Sequence, residues 1–486
     1  MRSEIYAKLN KQHSLDDLRC LSEVPTEKEQ ESCLEMGYVF GFTSKTWSEE
    51  FPEIDPKYVY CSKSVIMPSE LYYFDAEHYI CFPMRIYNGE TYLYGEYLRE
   101  KLPLIIESLE ADSRNKEYYK LLLPIASEES GNLAMGILRL MLENEEPSPE
   151  LYKAAINVYT ICNCGAQKLG KKAIENLIRC KSAEQRERTA AALSGFGEEI
   201  TIYRGEGSES TPYRESLSWT TDLGRALFFA AWRENDDVRV YEGKVRKADV
   251  IEYITDRKES EIITLPQKVQ NVTQFHCISM ETYRELVSPV MFNTRRRFPQ
   301  ATVAQEIIDK VREIYQTVDV EDHALEHSIR VALHSSFLYR LDVLVPLRSA
   351  PIERFRKALP AYEALILAAE YHDAGRLDNE PDEIHGLAGY ERYLADGNPE
   401  NETVKFLAEY HCKSDDAARD YWEKHFAGED KDFIWTAFEI IRDADALDRV
   451  RFGSLSDDFL DVGLLRRTSS KRLVPVAMQL EQMRFE

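Results

Sequence analysis

Histidine and aspartate side chains recur through the last third of this chain at positions that could form a metal centre. Seven of the ten histidines follow residue 320. The chemically informative positions in this stretch are His327, the adjacent pair His372 and Asp373, His385, His411 and Asp445. Imidazole nitrogens and carboxylate oxygens together suit divalent metals such as iron, manganese and zinc. A bound ion makes water, whose free pKa is about 15.7, a nucleophile near neutral pH, so the pattern indicates a hydrolase.

The order of these residues, H…HD…D, resembles the HD superfamily of metal-dependent phosphohydrolases over roughly residues 303–460. The resemblance implies an all-α domain that binds a divalent metal, as two ions of Fe, Mn, Zn or Mg. It assigns the ligands of the metal-binding core to His327, His372, Asp373 and Asp445. It assigns the extra ligands of members that hold two ions to His385 and His411. Asp373 would bridge the ions as a catalytic residue. The substrate would be a nucleotide or a phosphate of ADP-ribose.

Three assignments within this region stay open at the level of the sequence. Asp443, Asp445 and Asp448 share one helical stretch, and the family's A-D-x-L-D frame favours Asp445 as the ligand and leaves Asp443 as the alternative. Arg376 and Arg330 are either phosphate contacts or members of ion pairs, because a guanidinium fork suits both. A lone histidine on an apolar helix is usually a core residue. We therefore expect three histidines not to be ligands: His323, His334 and His425.

A second group of chemically informative residues lies between positions 203 and 261. Tyr203-Arg204-Gly205 ends a β-type run, Ser218-Trp-Thr-Thr221 follows, and Glu259-Ser-Glu261 comes later. This order resembles the R-S-E class of mono-ADP-ribosyltransferases, which has an arginine on a first strand, an S-x-T strand and an E-x-E sequence. The resemblance covers about residues 148–288. It implies an α+β fold, a split β-sandwich with a helical lobe, and NAD as the cofactor.

The same resemblance implies a role for each residue of this second group. A carboxylate that accepts a hydrogen bond from the ribose stabilises the oxocarbenium-like state in which NAD loses nicotinamide. Glu261 would do this, and Glu259 would hold a protein acceptor, an arginine or similar side chain. Arg204 would pair with the NAD phosphates or ribose, Ser218 would support Glu261, and Thr220 would brace the strand. The implied cofactor-binding residues are Tyr203, Arg204, Gly205, Ser218 and Thr220. The loop 232–237 would hold NAD, and the loop 254–260 would contact the target.

The overall composition limits the classes of partner. The chain has 85 acidic and 61 basic residues, and its net charge of −24 argues against nonspecific binding of nucleic acid. Its nine cysteines are scattered, without a C-x-x-C sequence, which indicates reduced thiols in a reducing compartment. No apolar run approaches the about 18 residues of a membrane span. We expect a cytoplasmic protein without a membrane partner, although transferases of this class are often toxins or effectors and delivery without a cleavable signal leaves no mark in a sequence.

The sequence patterns divide the chain into four parts and predict a multidomain protein. Residues 1–146 form an α+β module of unknown role, 147–288 the transferase-like domain, 289–302 a linker and 303–486 the HD-type domain. In the first part, Asn88-Gly89 between the β-type runs 81–87 and 91–94 predicts a hairpin, because both residues tolerate positive φ. Apolar residues at helical spacing after residue 303 predict a nearly all-α last domain.

Together these features predict a bifunctional enzyme. It would combine NAD-dependent mono-ADP-ribosyl transfer with metal-dependent hydrolysis of a nucleotide or ADP-ribose phosphate bond. The hydrolase would act either on the ADP-ribose that the other domain attaches or on a free nucleotide. Two further interpretations stay open. In one, the transferase-like domain only senses NAD and the HD domain is the sole catalyst; in the other, the HD region is a metal-stabilised interaction domain.

Overall fold

The computed structural model describes most of the chain, in seventeen segments: residues 14–23, 47–49, 51–52, 54–62, 70–85, 91–126, 131–162, 166–207, 210–231, 238–255, 259–287, 303–316, 325–377, 382–428, 430–453, 456 and 458–483. These residues form a mixed α and β protein with two antiparallel sheets and a helical C-terminal region. The prediction is confirmed at this level, since no strand follows residue 300 among them. The linker 289–302, the loop 232–237 and His323 lie outside the described residues.

The first sheet is a four-stranded antiparallel sheet in the order β1-β2-β3-β4. Its strands are β1 (Leu18–Cys20), β2 (Val59–Ser62), β3 (Glu70–Asp75) and β4 (Ile80–Arg85). Three helices follow: α1 (Thr91–Arg114), α2 (Tyr118–Ala126) and α3 (Asn132–Asn144).

The predicted hairpin around Asn88-Gly89 is wrong. The run 91–94 begins helix α1 and does not pair with β4, while the Asn-Gly turn itself lies outside the described residues. Aromatic residues favour strands only where a neighbouring strand is present to pack against, and tertiary context overrides that preference.

The second sheet has six strands in the order β10-β7-β5-β6-β9-β8. They are β5 (Glu199–Glu206), β6 (Ser218–Thr220), β7 (Arg239–Arg246), β8 (Val250–Ile254), β9 (Glu261–Thr264) and β10 (Gln270–Phe275). Helices α4 (Pro149–Ile161), α5 (Gly170–Cys180) and α6 (Ala183–Ala192) precede the sheet, α7 (Leu223–Ala231) follows β6, and α8 (Met280–Val287) follows β10. Ser148 starts α4 because its hydroxyl accepts a hydrogen bond from Leu151 N at 3.2 Å.

Eight helices of more than one turn form the described C-terminal region. They are α9 (Val303–Tyr315), α10 (Leu325–Tyr339), α11 (Ile352–Tyr371), α12 (His385–Ala395), α13 (Glu402–Tyr410), α14 (Asp415–His425), α15 (Lys431–Leu447) and α16 (Thr468–Glu481). Ile307, Val311 and Ile314 are buried on one face of α9, so the helical spacing is borne out there.

One hydrophobic core joins the second sheet to the C-terminal helices. It contains Leu227 of α7 and Tyr283 of α8 together with residues of α10, α11, α15 and α16. Hydrogen bonds also cross between these parts: Ile278 N donates to Arg472 O at 2.9 Å, and the Tyr283 hydroxyl lies 3.2 Å from His334 Nδ1. A second core joins the first sheet, α2 to α5 and Ile263 of β9. The cores therefore run across the domain boundaries expected from the sequence.

The fully buried His334 gives the protein a specific sensitivity to acid. Burial lowers the pKa of His334 from 6.5 to about 4, so between those values the unfolded chain binds more protons than the folded chain. Stability is intact above pH 6.5 and falls as the pH drops toward 4. At pH 5 this histidine should lower the free energy of unfolding by about 2 kcal/mol relative to pH 7. Urea unfolding of wild type and His334→Gln at both pH values measures the difference, and equal losses of stability in the two proteins would contradict it.

Candidate metal centre and candidate NAD site

Two of the candidate ligands, His372 and His411, occupy the same local position. Each is the first residue after an apolar helix, α11 or α13. Each ring donates through Nδ1 to the carbonyl three residues earlier, Ala369 O at 2.8 Å and Ala408 O at 2.6 Å. Such carbonyls at a helix C-terminus lack partners within the helix. The tetrapeptide Ala-Glu-Tyr-His is identical at 369–372 and 408–411, a signal that sequence reasoning missed.

The other two candidate histidines are oriented by carboxylates. His327 Nδ1 lies 2.7 Å from Asp448 Oδ2, and His385 Nδ1 lies 3.0 Å from Asp382 Oδ1. All four rings thus place Nδ1 against an oxygen acceptor, which puts the proton on Nδ1. The lone pair then lies on Nε2, the tautomer that binds a metal through that nitrogen.

The four Nε2 atoms converge in two pairs on opposite sides of Asp373. His327 Nε2 and His372 Nε2 are 3.2 Å apart, and His385 Nε2 and His411 Nε2 are 3.0 Å apart. Ligand atoms that bind one ion at about 2.1 Å stand about 3.0–3.4 Å apart. Where both rings of a pair are neutral, no proton lies between their Nε2 atoms, and a cation there would remove a repulsion between lone pairs. The donor set therefore fits divalent metal ions.

Asp373 connects the two pairs. Its Oδ2 is 3.4 Å from His327 Nε2 and 3.7 Å from His372 Nε2. Its Oδ1 is 3.4 Å from His385 Nε2 and 3.8 Å from His411 Nε2. One carboxylate thus offers a different oxygen to each half of the cluster. We call these halves the first half-site (His327, His372, Asp445) and the second half-site (His385, His411).

The structure brings Asp445, and not Asp443, to the cluster. Asp445 Oδ1 is 3.4 Å from His327 Nε2. Asp443 is fully buried elsewhere and accepts hydrogen bonds from Arg466 N and Arg467 N, at the start of α16. The Asp445 side chain is 39% exposed, whereas the His327 and Asp373 side chains are 2% exposed. The cluster is therefore most open to solvent beside Asp445.

Two glycines of α12 allow the helices that carry the histidines to approach closely. A Cβ on Gly386 would lie 2.2 Å from Ala408 O, and a Cβ on Gly389 would lie 2.2 Å from Tyr371 O. These distances are far below van der Waals contact, so any side chain there would push α12 away from α13 and from the end of α11. Since α12 carries His385, the two glycines set the width of the second half-site.

Burial determines the charge of most of these imidazoles. It lowers the pKa of His372 to about 3 and that of His385 to about 4, so both rings are neutral near pH 7. For His327, burial has the same direction, but hydrogen bonds to Asp373 and Asp448 outweigh it and raise the pKa to about 9. Neutral imidazole is the form that binds a metal, so an ion at the cluster would have to displace the proton that Asp373 and Asp448 favour on His327.

Asp448 contacts the cluster, and the sequence left it without a role. It is buried between His327 and two arginines, since Arg330 Nε donates to Oδ1 and Arg451 Nη1 lies 3.3 Å from Oδ2. The hydrogen bonds from His327 and Arg330 outweigh burial and hold the pKa of Asp448 well below its usual value. Arg330, predicted as a phosphate contact or an ion-pair member, is a buried partner of Asp448.

Replacing Asp448 with Asn is expected to weaken metal binding about 10- to 100-fold, because the orienting partner of His327 loses its charge. The free energy of unfolding should fall by about 3 kcal/mol, since the buried Arg330 loses its counterion. Calorimetric titration with Mn²⁺ and urea unfolding measure the two effects. Unchanged Mn²⁺ affinity would show that Asp448 does not orient a ligand.

In the second group, strand register places Ser218 and Glu261 on one face of the sheet. Thr220 pairs with Glu261 across β6 and β9, and Trp219 pairs with Ile262. Trp219 and Ile262 are buried together in a small core. Because side chains alternate along a strand, Ser218, Thr220 and Glu261 are on the opposite face, with Ser218 diagonal to Glu261.

Glu261 is held by two hydroxyl groups. Ser218 Oγ and Tyr159 OH both donate to Glu261 Oε1, each at 2.5 Å. Tyr159 comes from helix α4, and its role was not predicted from the sequence. Burial, followed by the nearby Glu261, raises the pKa of Tyr159 well above its usual value, so the hydroxyl keeps its proton and remains a donor. The carboxylate has a fixed orientation in a 7% exposed residue.

Arg204 lies near this carboxylate, and its hydrogen bonds go to backbone carbonyl groups of the protein. Nη1 donates to Ser218 O at 2.9 Å, Nη2 donates to Thr211 O at 2.6 Å, and Nε is 3.4 Å from Glu206 Oε1. The next residue, Gly205, packs against helix α7: a Cβ there would lie 1.9 Å from Ala226 O. Arg204 and Gly205 thus fix β5 against β6 and α7.

The Glu259-Ser260-Glu261 segment has an unusual backbone. Ser260 has φ of +47°, a left-handed conformation that costs a non-glycine residue about 1–2 kcal/mol. Two hydrogen bonds hold it: Thr220 Oγ1 donates to Glu259 O at 2.6 Å, and Thr221 N donates to Ser260 O at 3.0 Å. Thr220 therefore braces the start of β9.

Tyr203 is opposite Thr220 in the register of β5 and β6. Residues 256–258 of the loop expected to contact the target lie outside the described residues.

Comparison with known proteins assigns no relative. No protein family model, curated protein or solved structure matches this chain. Within the described residues, no helix has the length and apolar character that crossing a bilayer requires.

Proposed function

We propose that residues 303–486 are an HD-type metal-dependent phosphohydrolase domain. The observation that carries the proposal is the convergence of four Nε2 atoms and three carboxylate oxygens, two from Asp373 and one from Asp445. Such a donor set is suited to two divalent ions of Fe, Mn, Zn or Mg. The proposed ligands are His327, His372, Asp373, His385, His411 and Asp445.

The protein's own residues would prepare this centre before substrate arrives. Asp448, Asp382 and two helix-terminal carbonyls fix the imidazole tautomers, while Asp373 divides its oxygens between the half-sites. Bound divalent ions would lower the pKa of a coordinated water and polarise a phosphate. The partly exposed Asp445 marks the side from which a nucleotide or ADP-ribose phosphate would enter.

We also propose that residues 147–288 transfer ADP-ribose from NAD to a protein, on an arginine or similar side chain. The support is the buried Glu261 oriented by Ser218 and Tyr159, with Arg204 on the adjacent strand. A carboxylate fixed before the reaction stabilises positive charge at the ribose without reorganising. Glu259, two residues earlier, would hold the acceptor. The expected fold is the split β-sandwich with α4 to α6 as the helical lobe.

The contacts of Arg204 favour a second candidate function for this part of the chain. A guanidinium that bonds Ser218 O and Thr211 O positions strand β6, and its role would be to support the site and not to bind the NAD phosphates. A domain with this arrangement could bind NAD as a signal while the HD domain is the sole catalyst. Release of nicotinamide from NAD by the purified chain separates the two candidates.

The coupling between the two proposed activities is measurable by mass. The full chain is incubated with isotopically labelled NAD and a cell lysate, with and without intact His372 and Asp373. If the hydrolase cuts the attached ADP-ribose, the modified peptide carries a smaller group in the wild-type reaction. Equal masses in both reactions would show that the hydrolase does not cut the attached ADP-ribose, and a panel of nucleotides with Mn²⁺ would then test hydrolysis of a free nucleotide.

A further inference from the structure

Arg376 lies inside the second half-site. Its Nε donates to Asp373 Oδ1 at 3.2 Å, and its Nη2 lies 3.4 Å from His385 Nε2. Its side chain is 9% exposed, so it is buried at the cluster and does not extend into solvent. The guanidinium therefore contacts the same two atoms that a second metal ion would use.

The first half-site has a different arrangement. The arginine that approaches His327, Arg451, does so at Nδ1, at 3.4 Å, on the side of the ring facing away from the cluster. At Nε2, His327 faces His372 and two carboxylate oxygens, those of Asp373 and Asp445. The Arg376 guanidinium is thus directed at the candidate metal-binding atoms of the second half-site, whereas Arg451 meets the first half-site on the far side of the His327 ring.

A guanidinium and a divalent ion repel each other strongly at contact distance in a buried site. The second half-site can hold one of them at a time. A phosphate offers the guanidinium two oxygens in a better geometry than the single oxygen of Asp373. Binding of an oxyanion would therefore draw Arg376 away from Asp373 Oδ1 and His385 Nε2. These two atoms could then coordinate an ion.

We propose that Arg376 is a built-in competitor for the second metal ion, so that the second half-site fills only when an oxyanion engages this arginine. The inference rests on the proposed metal centre and goes beyond it by making the number of bound ions depend on phosphate. By thermodynamic linkage, phosphate and the second ion then strengthen each other's binding by the same factor.

The test counts ions and needs no enzymatic activity. The metal-free full chain is dialysed to equilibrium against micromolar Mn²⁺, with and without millimolar inorganic phosphate, and bound Mn²⁺ per chain is measured. We expect one ion without phosphate and two with it. Arg376→Gln should bind two ions without phosphate, with the second bound at least about 10-fold more tightly than in the wild type. Arg376→Lys, which keeps the charge, and Arg392→Gln, which removes an exposed ion pair with Asp396 on the same helix as His385, should resemble the wild type.

The possible results separate this inference from the metal centre itself. Two ions in the wild type without phosphate, or one ion in both wild type and Arg376→Gln under every condition, would overturn the competitor role and leave the metal centre standing. No bound ion in any protein would overturn both. If Arg376→Gln does not fold, Arg376→Met takes its place in the same count, because phosphate could also promote binding of the second ion as a direct ligand in the wild type.

Discussion

Replacing Glu261 with Gln should reduce nicotinamide release from NAD by roughly 10²- to 10³-fold, the usual effect of removing one preorganised electrostatic group. The amide keeps the shape of the side chain, and its oxygen can still accept the hydrogen bonds of Ser218 and Tyr159. What it loses is the negative charge next to the ribose. Chromatographic measurement of nicotinamide with the full chain gives the effect.

A matched control separates charge at this position from charge on the sheet in general. Glu199 lies on β5, its side chain is 55% exposed, and it pairs with Lys244 at 3.9 Å on the surface. Glu199→Gln should therefore leave nicotinamide release unchanged. Glu259→Gln should reduce transfer to protein more than it reduces hydrolysis of NAD, because it would act on the acceptor. Equal activity of Glu261→Gln and wild type would refute the transferase proposal and favour NAD sensing.

Asp373→Asn should abolish the proposed hydrolysis, lowering phosphate release from a responsive nucleotide by at least about 10²-fold. Asp373 offers one oxygen to each half-site, so neutralising its carboxylate weakens both. A metal ion supplies several kcal/mol of transition-state stabilisation, and each 1.36 kcal/mol changes a rate about tenfold. Phosphate release and bound Mn²⁺ should fall together.

Asp458→Asn is the corresponding control, since that side chain is 71% exposed and pairs with Arg449 away from the cluster. Its metal content and hydrolysis should equal those of the wild type. If Asp373→Asn lost its metal but no nucleotide in the panel were hydrolysed by the wild type, the region would be a metal-stabilised interaction domain. That result would retain the centre and reject the enzyme.

The shared core affects how the two proposed activities are studied. Leu227 of α7 and Tyr283 of α8 pack in the same hydrophobic core as the C-terminal helices. Cutting the chain between the sheet and those helices would expose that core to water, so each activity is best measured in the full chain. The variants above are single polar substitutions for this reason.

Part of the candidate site follows from local sequence. Residue types and order identify the candidate metal ligands, because coordination needs nitrogen and oxygen donors whatever the fold around them. The helical character after residue 303 follows from apolar spacing, whereas the placement of Ser218 and Glu261 on one face depends on the register between β6 and β9. The duplicated Ala-Glu-Tyr-His also encodes two ligands in one local geometry.

Tertiary structure decided what depends on distant partners. Asp443 and Asp445 are two residues apart on one helix and so point about 200° apart; Asp445 is the one that faces His327 because the start of α16 binds Asp443. Asp448 meets His327 across 121 positions of sequence, and Tyr159 meets Glu261 across 102. Arg376 is three residues from Asp373 in sequence, but only the packing of α12 brings His385 to within 3.4 Å of the Arg376 guanidinium. Local spacing fixes which donors a helix or strand presents, whereas the packing of separate elements fixes which of those donors meet.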